Sequence, residues 1–178
     1  MELIEKTQEY LNYIDEHICN VQIAWDNIKE RCEHPIFTDV LVYKVNELVL
    51  KHDKSKLSVE EFIPYRNKFF PTNNQKEEMD NNEEYSKEIR DNFKIAWDHH
   101  KKINKHHWQE WTKLDDDELK NCYFIEMICD WIAMSMNFGG TAREYYEKNK
   151  DTMNIPDKYE KIMYTIFNQY YGKKFKLL

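Results

Sequence analysis

Histidine is concentrated in one short segment of this chain, HHKKINKHH, which carries His99, His100, His106 and His107. These are four of the chain's 7 histidines, and imidazole is the side chain best suited to metal binding and proton transfer near neutral pH. Three interpretations compete: a solvated polar face, a structural zinc clip, and one half of a catalytic metal site. The positions of other ionisable residues on their predicted helices bear on the choice.

Two further histidines and three carboxylates fall on or beside the apolar stripes of predicted helices. His17 lies on the stripe of the first helix, and His52 closes the stripe of the second, with Asp53 immediately after it. Glu126 and Asp130 are four residues apart within CYFIEMICDWIAM, a segment that is apolar nearly all round. Such a segment is typical of a buried central helix.

The HHKKINKHH segment extends the stripe of another predicted helix. Residues seven apart lie about 20° from eclipsed on an α-helix, so His100 and His107 share its apolar face if the helix continues to Trp111. His99 and His106 share the adjacent, more polar face, and we rank them second as metal or substrate contacts.

Carboxylates and imidazoles that point into one core favour a bound divalent cation. Any one of these histidines alone is more often a hydrogen-bonded core residue, but their coincidence on four separate stripes favours a shared site. Structural zinc sites are usually rich in cysteine and locally spaced, whereas a scattered nitrogen and oxygen set suits Mn, Fe, Mg or catalytic Zn. The predicted ligands of one or two ions are His17, His52, Asp53, His100, His107 and Asp130.

The elements that position these residues are predicted to be helices throughout. Apolar side chains recur at three- and four-residue steps, and only 3 Gly and 4 Pro interrupt them. Thr38 is predicted to cap the second helix, Ser58 and Glu61 have the spacing of a capping box, and Gly139 ends the helix that carries Asp130. The polar segment at about 71–82 is predicted to be a loop. We therefore expect an all-α fold, a compact bundle of about six or seven helices forming one domain over residues 1–178.

Composition narrows the classes of partner. The net charge of −7 disfavours nucleic acid and anionic membrane surfaces as partners. No apolar run approaches the length of about 20 residues that a membrane span needs. The 4 cysteines form no CxxC pair, which is typical of a reducing compartment. With no signal-peptide pattern at the start, the expected location is cytoplasmic.

The ordered set His17, His52-Asp53 and Asp130 resembles the signature of the HD-domain superfamily of metal-dependent phosphohydrolases. Within it, HDKSK resembles the HD-x-x-K motif of the enzymes that cleave cyclic dinucleotides, and Lys56 matches the motif's lysine. The combination of HDKSK, HHKKINKHH and a late Asp-Trp more closely resembles an uncharacterised HD-like family of bacteria and phages. The Gly-Tyr-Pro segment of the cyclic-dinucleotide enzymes is absent, which argues against that particular substrate.

The resemblance implies a fold of the HD type and a phosphohydrolase that acts on a nucleotide or related small phosphoester through metal-activated water. Asp53 would bridge two ions, Lys56 would steady the phosphate oxygens, and Glu126 would orient a ligand histidine or act as a base. Arg66 is a further candidate for binding the substrate phosphate.

Two alternatives stay open at this point. The first is a di-iron oxygenase, since some HD folds hold two irons with a similar ligand set. The second is a non-catalytic helical protein that binds a nucleotide or a partner around a structural metal or histidine cluster. An exposed, aromatic-rich surface would also support a homodimer.

Overall fold

A computed structural model describes residues 1–172, and the regular secondary structure in this range is helical. This range contains the α-helices α1 (Glu2–Arg31), α2 (Asp39–Val49), α3 (Phe62–Phe69), α4 (Asn73–Asn81), α5 (Glu83–Ile103), α6 (Trp108–Trp111), α7 (Asp117–Phe138), α8 (Ala142–Asn149) and α9 (Asp157–Gly172). Two 3₁₀ helices span Lys54–Leu57 and Lys150–Thr152. The predicted all-α class is confirmed. The described range has nine α-helices instead of the predicted six or seven, and the short α4 and α6 are the two that were not predicted.

The chain divides into two compact units. Unit 1 comprises Met1–Glu16 and Asp53–Asn104, and unit 2 comprises His17–His52 and the described residues from Lys105 onward. The predicted single domain over 1–178 includes residues 173–178, which lie outside the described residues. Helix α1 contributes residues to both units, because the boundary falls between Glu16 and His17.

The core of unit 2 is built on α7, which packs against α2, α6 and α8. Phe124, Ile125 and Met127 point in different directions around α7 and are each buried, so this helix is surrounded, as its apolar composition predicts. Burying one such side chain contributes roughly 1.5–3 kcal/mol. The facing stripe of α2 consists of Leu41, Val45 and Val49.

Both ends of α7 follow from local chemistry. Asp116 caps the first turn, and its Oδ1 accepts the N–H groups of Glu118 at 2.8 Å and Leu119 at 3.0 Å. The helix ends at Gly139, whose φ of 81° is a conformation that favours glycine. These caps fix where Glu126 and Asp130 stand along the helix. The predicted cap of α2 is likewise confirmed, since the Thr38 side chain accepts the N–H of Leu41.

Unit 1 is organised by α5, which packs against α3, α4 and the first 3₁₀ helix. Aromatic contacts join α3 to α5, with the ring of Phe93 5.1 Å from Tyr65 and 5.2 Å from Phe69 between centroids. These edge-on contacts add to the stabilisation that comes from burial alone. They hold α3 beside the histidine-bearing end of α5.

The predicted loop at 71–82 is wrong, because residues 73–81 form α4. The Thr72 side chain accepts the N–H of Gln75 at 3.2 Å, and the Gln75 Oε1 accepts the N–H of Thr72 at 3.0 Å. This reciprocal capping box starts a helix whose polar composition lacks an apolar stripe.

The predicted helix from about Glu83 to at least Ile103 is confirmed, but α5 ends at Ile103 and does not continue to Trp111. Asn104 leaves the helix with extended backbone, and its Nδ2 donates to Ser55 Oγ at 2.6 Å and to the carbonyl of His100 at 3.0 Å. Therefore His100 and His107 do not share a helical face, and the reason for ranking His107 above His106 fails.

No helix within residues 1–172 combines the length and the apolar character needed to cross a membrane.

Candidate metal centre

The predicted site residues fall mainly into two clusters, one in each unit. We call the cluster of unit 2 the histidine–carboxylate cluster, and it consists of His17, His52, His106, Glu126 and Asp130. We call the cluster of unit 1 the Asp53 network, and it consists of Asp53, Lys56, Glu61, His99 and His100.

Four separate segments supply the histidine–carboxylate cluster. His17 comes from α1, His52 follows the end of α2, and His106 precedes α6. Glu126 and Asp130 are one turn apart on α7, and residues at this spacing lie on the same face of a helix. All five residues are buried except Asp130, whose side chain is 14% exposed.

Two imidazoles converge on one carboxylate oxygen in this cluster. The Oδ1 of Asp130 lies 3.2 Å from Nε2 of His17 and 3.6 Å from Nε2 of His52. One potential ligand atom from each of these residues lies within 4.8 Å of the other two. Two donors bound to the same ion at about 2.1 Å stand about 3.0–3.4 Å apart for octahedral or tetrahedral angles. The 3.2 Å distance falls in this range and the 3.6 Å distance slightly exceeds it, so the trio is compatible with one divalent ion.

Asp130 is held as a carboxylate by its neighbours. Burial by itself would raise its pKa, but the interactions with His17 and His52 outweigh burial and place the pKa well below its ordinary value. A buried anion supported in this way has the charge state that a metal ligand needs.

Glu126 supports the cluster from the other side of His52. Its Oε1 lies 2.9 Å from Nδ1 of His52 and 3.6 Å from Nδ1 of His106. Burial would raise the pKa of Glu126, but the two histidines outweigh it and lower the pKa to about 2. When His52 donates its Nδ1–H to Glu126, its Nε2 presents a lone pair beside Asp130. This is the arrangement in which a carboxylate fixes the tautomer of a metal-ligating histidine.

His106 belongs to the cluster although the sequence ranked it second. It is 1% exposed, and its ring lies 4.3 Å from that of His52 between centroids. Together with His52 and Glu126 it forms a second group whose ligand atoms lie within 4.8 Å of one another. His107 is half-buried, and its ring packs 4.3 Å from His106. The backbone turn after α5, and not helical periodicity, selects His106.

The Asp53 network of unit 1 is a chain of alternating acids and bases. Asp53 Oδ1 lies 3.2 Å from Nε2 of His100, whose Nδ1 lies 2.8 Å from Oε2 of Glu61. The other oxygen of Glu61 lies 2.8 Å from Nδ1 of His99. Burial would lower the pKa of His100, but the contacts with Asp53 and Glu61 outweigh it and raise the pKa.

Asp53 also holds Lys56. The Lys56 Nζ lies 2.8 Å from Asp53 Oδ2, and the rings of Tyr13 and Tyr65 lie 5.9 and 5.7 Å from the ammonium group. Asp53 has a φ of 53°, and it is the sole non-glycine residue with positive φ in the described range. Such backbone costs of order 1 kcal/mol or more and is concentrated at functional sites.

Glu61 is a residue whose role the sequence assigned wrongly. It was predicted to complete a capping box with Ser58, but α3 begins at Phe62 without a side-chain cap. Glu61 is instead completely buried, and the contacts of His99 and His100 outweigh burial and lower its pKa. The signal available in the sequence was its spacing of four residues from Tyr65, which is also buried.

Arg66 lies in unit 1 but outside the Asp53 network. Its guanidinium donates to Asn67 and to Gln75. Arg66, a predicted substrate contact, is therefore held by neutral amides, whereas Lys56 pairs with the carboxylate of Asp53.

Comparison with protein-family models matches residues 6–172 to DUF5662, described as a family of unknown function. Comparisons with curated proteins and with solved structures give no match.

Proposed function

The chain belongs to DUF5662, and we propose from its own residues that it is a metal-dependent phosphohydrolase acting on a nucleotide or a related small phosphoester. The observation that carries the proposal is the trio of His17, His52 and Asp130, whose possible ligand atoms lie within 4.8 Å of one another. The resemblance of this ordered set to the HD-domain phosphohydrolases supports the reaction class.

The donor set favours a hard or borderline divalent ion. Two imidazole nitrogens and one carboxylate oxygen leave coordination positions for water and substrate, as catalytic sites require. Mn, Fe, Mg and Zn all accept such ligands, and no cysteine lies in the cluster to favour a structural zinc site. The group formed by His52, His106 and Glu126 offers an alternative position for an ion, which would replace the hydrogen bond between His52 and Glu126.

A bound divalent ion supplies a water of lowered pKa for attack on phosphorus. The protein's own contribution is to hold Asp130 ionised and to orient His52 through Glu126. Glu126, with a pKa of about 2, accepts a hydrogen bond at neutral pH and does not act as a proton donor there. This low pKa favours an orienting role for Glu126 over the role of general base, which needs a pKa nearer the operating pH.

Lys56 of unit 1 has the chemistry to stabilise phosphate charge. Its ammonium group is desolvated and fixed by Asp53 at 2.8 Å, so little reorganisation would be needed for it to meet a developing charge. We propose Lys56 as the phosphate contact, as the resemblance to the HD-x-x-K motif implies.

Metal analysis of purified protein tests the proposal first. We expect a stoichiometric divalent ion that is lost in Asp130→Asn and in His17→Gln. The matched control is Asp98→Asn, which removes an acid that is half exposed and pairs with Lys101 on α5. Circular dichroism of each variant shows whether the helices persist.

A phosphoester screen follows with Mn, Mg, Zn or Fe added back. Turnover of a nucleotide or of bis-(p-nitrophenyl) phosphate that disappears in Asp130→Asn supports the proposal. Iron-dependent uptake of O₂ without phosphoester turnover would replace it with the oxygenase. Absence of metal under every loading condition, with intact folding, would replace it with the binding protein.

A further inference from the structure

A pocket of about 380 Å³ lies in unit 1 at the N-terminal end of α4. Arg66, Thr72, Asn74 and Gln75 line it, together with Glu2 from the start of α1. Its volume is within the range of about 300–1,000 Å³ that is usual for small-molecule sites. None of these residues belongs to the Asp53 network, so the pocket is separate from that network.

Arg66 places a buried positive charge at this pocket. It is 5% exposed, and its Nη1 donates to Gln75 Oε1 at 3.2 Å while its Nη2 donates to Asn67 Oδ1. Both acceptors are neutral amides, and no carboxylate in residues 1–172 lies within 4.0 Å of the guanidinium. Burial lowers the pKa of Arg66, but an arginine side chain remains a cation at neutral pH.

The guanidinium also has donors to spare. Arginine carries five N–H groups. The hydrogen bonds to Gln75 and Asn67 use two of them, one on Nη1 and one on Nη2. A buried cation is costly unless a counter-charge and hydrogen bonds compensate it. The pocket therefore has both a charge and a set of directed donors suited to an oxyanion.

The first turn of α4 adds backbone donors on the same pocket. The N–H of Gln75 is used by the capping box, whereas the N–H of Asn74 has no acceptor among the described residues. The N–H of Asn73 donates to Glu2 Oε1 at 2.7 Å. A carboxylate of the protein itself thus already sits where helix geometry favours an anion.

We propose that this pocket binds the phosphate group of a small molecule, held by the Arg66 guanidinium and by the backbone N–H groups at the start of α4. A phosphate offers paired oxygens to the planar fork of arginine, and its double negative charge compensates a buried cation better than a carboxylate does. Glu2 competes for the Asn73 N–H and leaves it when the ligand enters. The site requires no metal and does not depend on the proposed hydrolase activity.

Titration of ¹⁵N-labelled protein with inorganic phosphate, in the presence of a chelator, tests the site by NMR. We expect saturable shifts of the Arg66 Nε–H and of the Asn74 amide. Arg66→Lys keeps the charge but loses the fork, and we expect it to weaken binding by roughly tenfold or more. The matched control Arg90→Lys changes an exposed arginine that pairs with Glu83 on α5, and its titration should equal that of the parent protein.

Glu2→Gln keeps the test decisive if Arg66→Lys fails to fold. Removing the competing carboxylate should tighten phosphate binding several-fold, whereas it should have no effect on a site elsewhere. Acetate should bind more weakly than phosphate. Phosphate shifts that are absent at the two named groups, or that are identical in Glu2→Gln and the parent protein, would overturn the proposal.

Discussion

Replacing Glu126 by Gln separates the orienting role of this carboxylate from its place in the core. The substitution keeps the shape of the side chain but removes the charge that faces His52 and His106 at 2.9 and 3.6 Å. An amide can accept the Nδ1–H of His52 only weakly and can also present its NH₂ group to the ring. We therefore expect the metal affinity of the trio to fall by about 10–100-fold, as for loss of a carboxylate behind a ligand histidine.

The same substitution has a calculable effect on the metal-free protein. Glu126 has a pKa of about 2 against an ordinary value of 4.5, and this difference corresponds to about 3 kcal/mol of stability at neutral pH. Glu126→Gln should therefore lower the free energy of unfolding of the chelator-treated protein by a few kcal/mol. Its side chain is 5% exposed, so solvent screening takes little from this figure.

Chemical denaturation and competition with a chromophoric chelator measure the two effects. The matched control is Glu110→Gln, another acid of unit 2, which pairs with Lys105 and Lys113 at 3.2 Å each near the surface. Surface pairs contribute about 1 kcal/mol or less, so this variant should stay near the parent protein in both assays. Equal metal affinity and equal stability for Glu126→Gln and the parent protein would refute the role assigned to Glu126.

Three further predictions concern acid stability, the cap of α4 and the choice between His106 and His107. Because the folded pKa of Glu126 is lowered to about 2, the stability that this residue supplies is present above about pH 4.5 and is lost as the pH falls toward 2. An acid titration of the metal-free protein should show this loss of stability, and the loss should be smaller in Glu126→Gln. Thr72→Ala removes the capping box of α4 and should cost about 1 kcal/mol in thermal unfolding; an unchanged midpoint would mean that the box is dispensable. His106→Ala should reduce metal loading or metal-free stability more than His107→Ala does, since His106 is 1% exposed beside Glu126; the reverse order, measured by elemental analysis and denaturation, would restore the original ranking.

Local patterns were sufficient for much of the candidate site. The apolar stripes predicted that His17 and His52 point inward, and both are 1% exposed. Glu126 and Asp130 were found because two acids four residues apart interrupt an apolar helix. These inferences succeed because burial of a helix face depends mainly on the spacing of its own side chains.

Where the helices end was the weaker part of the prediction. The box of Thr72 and Gln75 is visible as a spaced pair, but the polar segment around it concealed α4. The end of α5 depends on the Asn104 side chain, which bonds to Ser55 Oγ at 2.6 Å, a residue 49 positions earlier in the chain. No window of local sequence contains that contact.

The sequence by itself determined the helical class, the inward faces of the long helices and the types of donor available for a metal. The tertiary structure decided which donors meet: it selected His106 through the turn after α5, and it turned Glu61 from a predicted cap into the shared acceptor of His99 and His100. The physical reason is that helical periodicity is set by neighbours three and four residues away, whereas a cluster of buried charges is stable only where distant segments supply compensating partners.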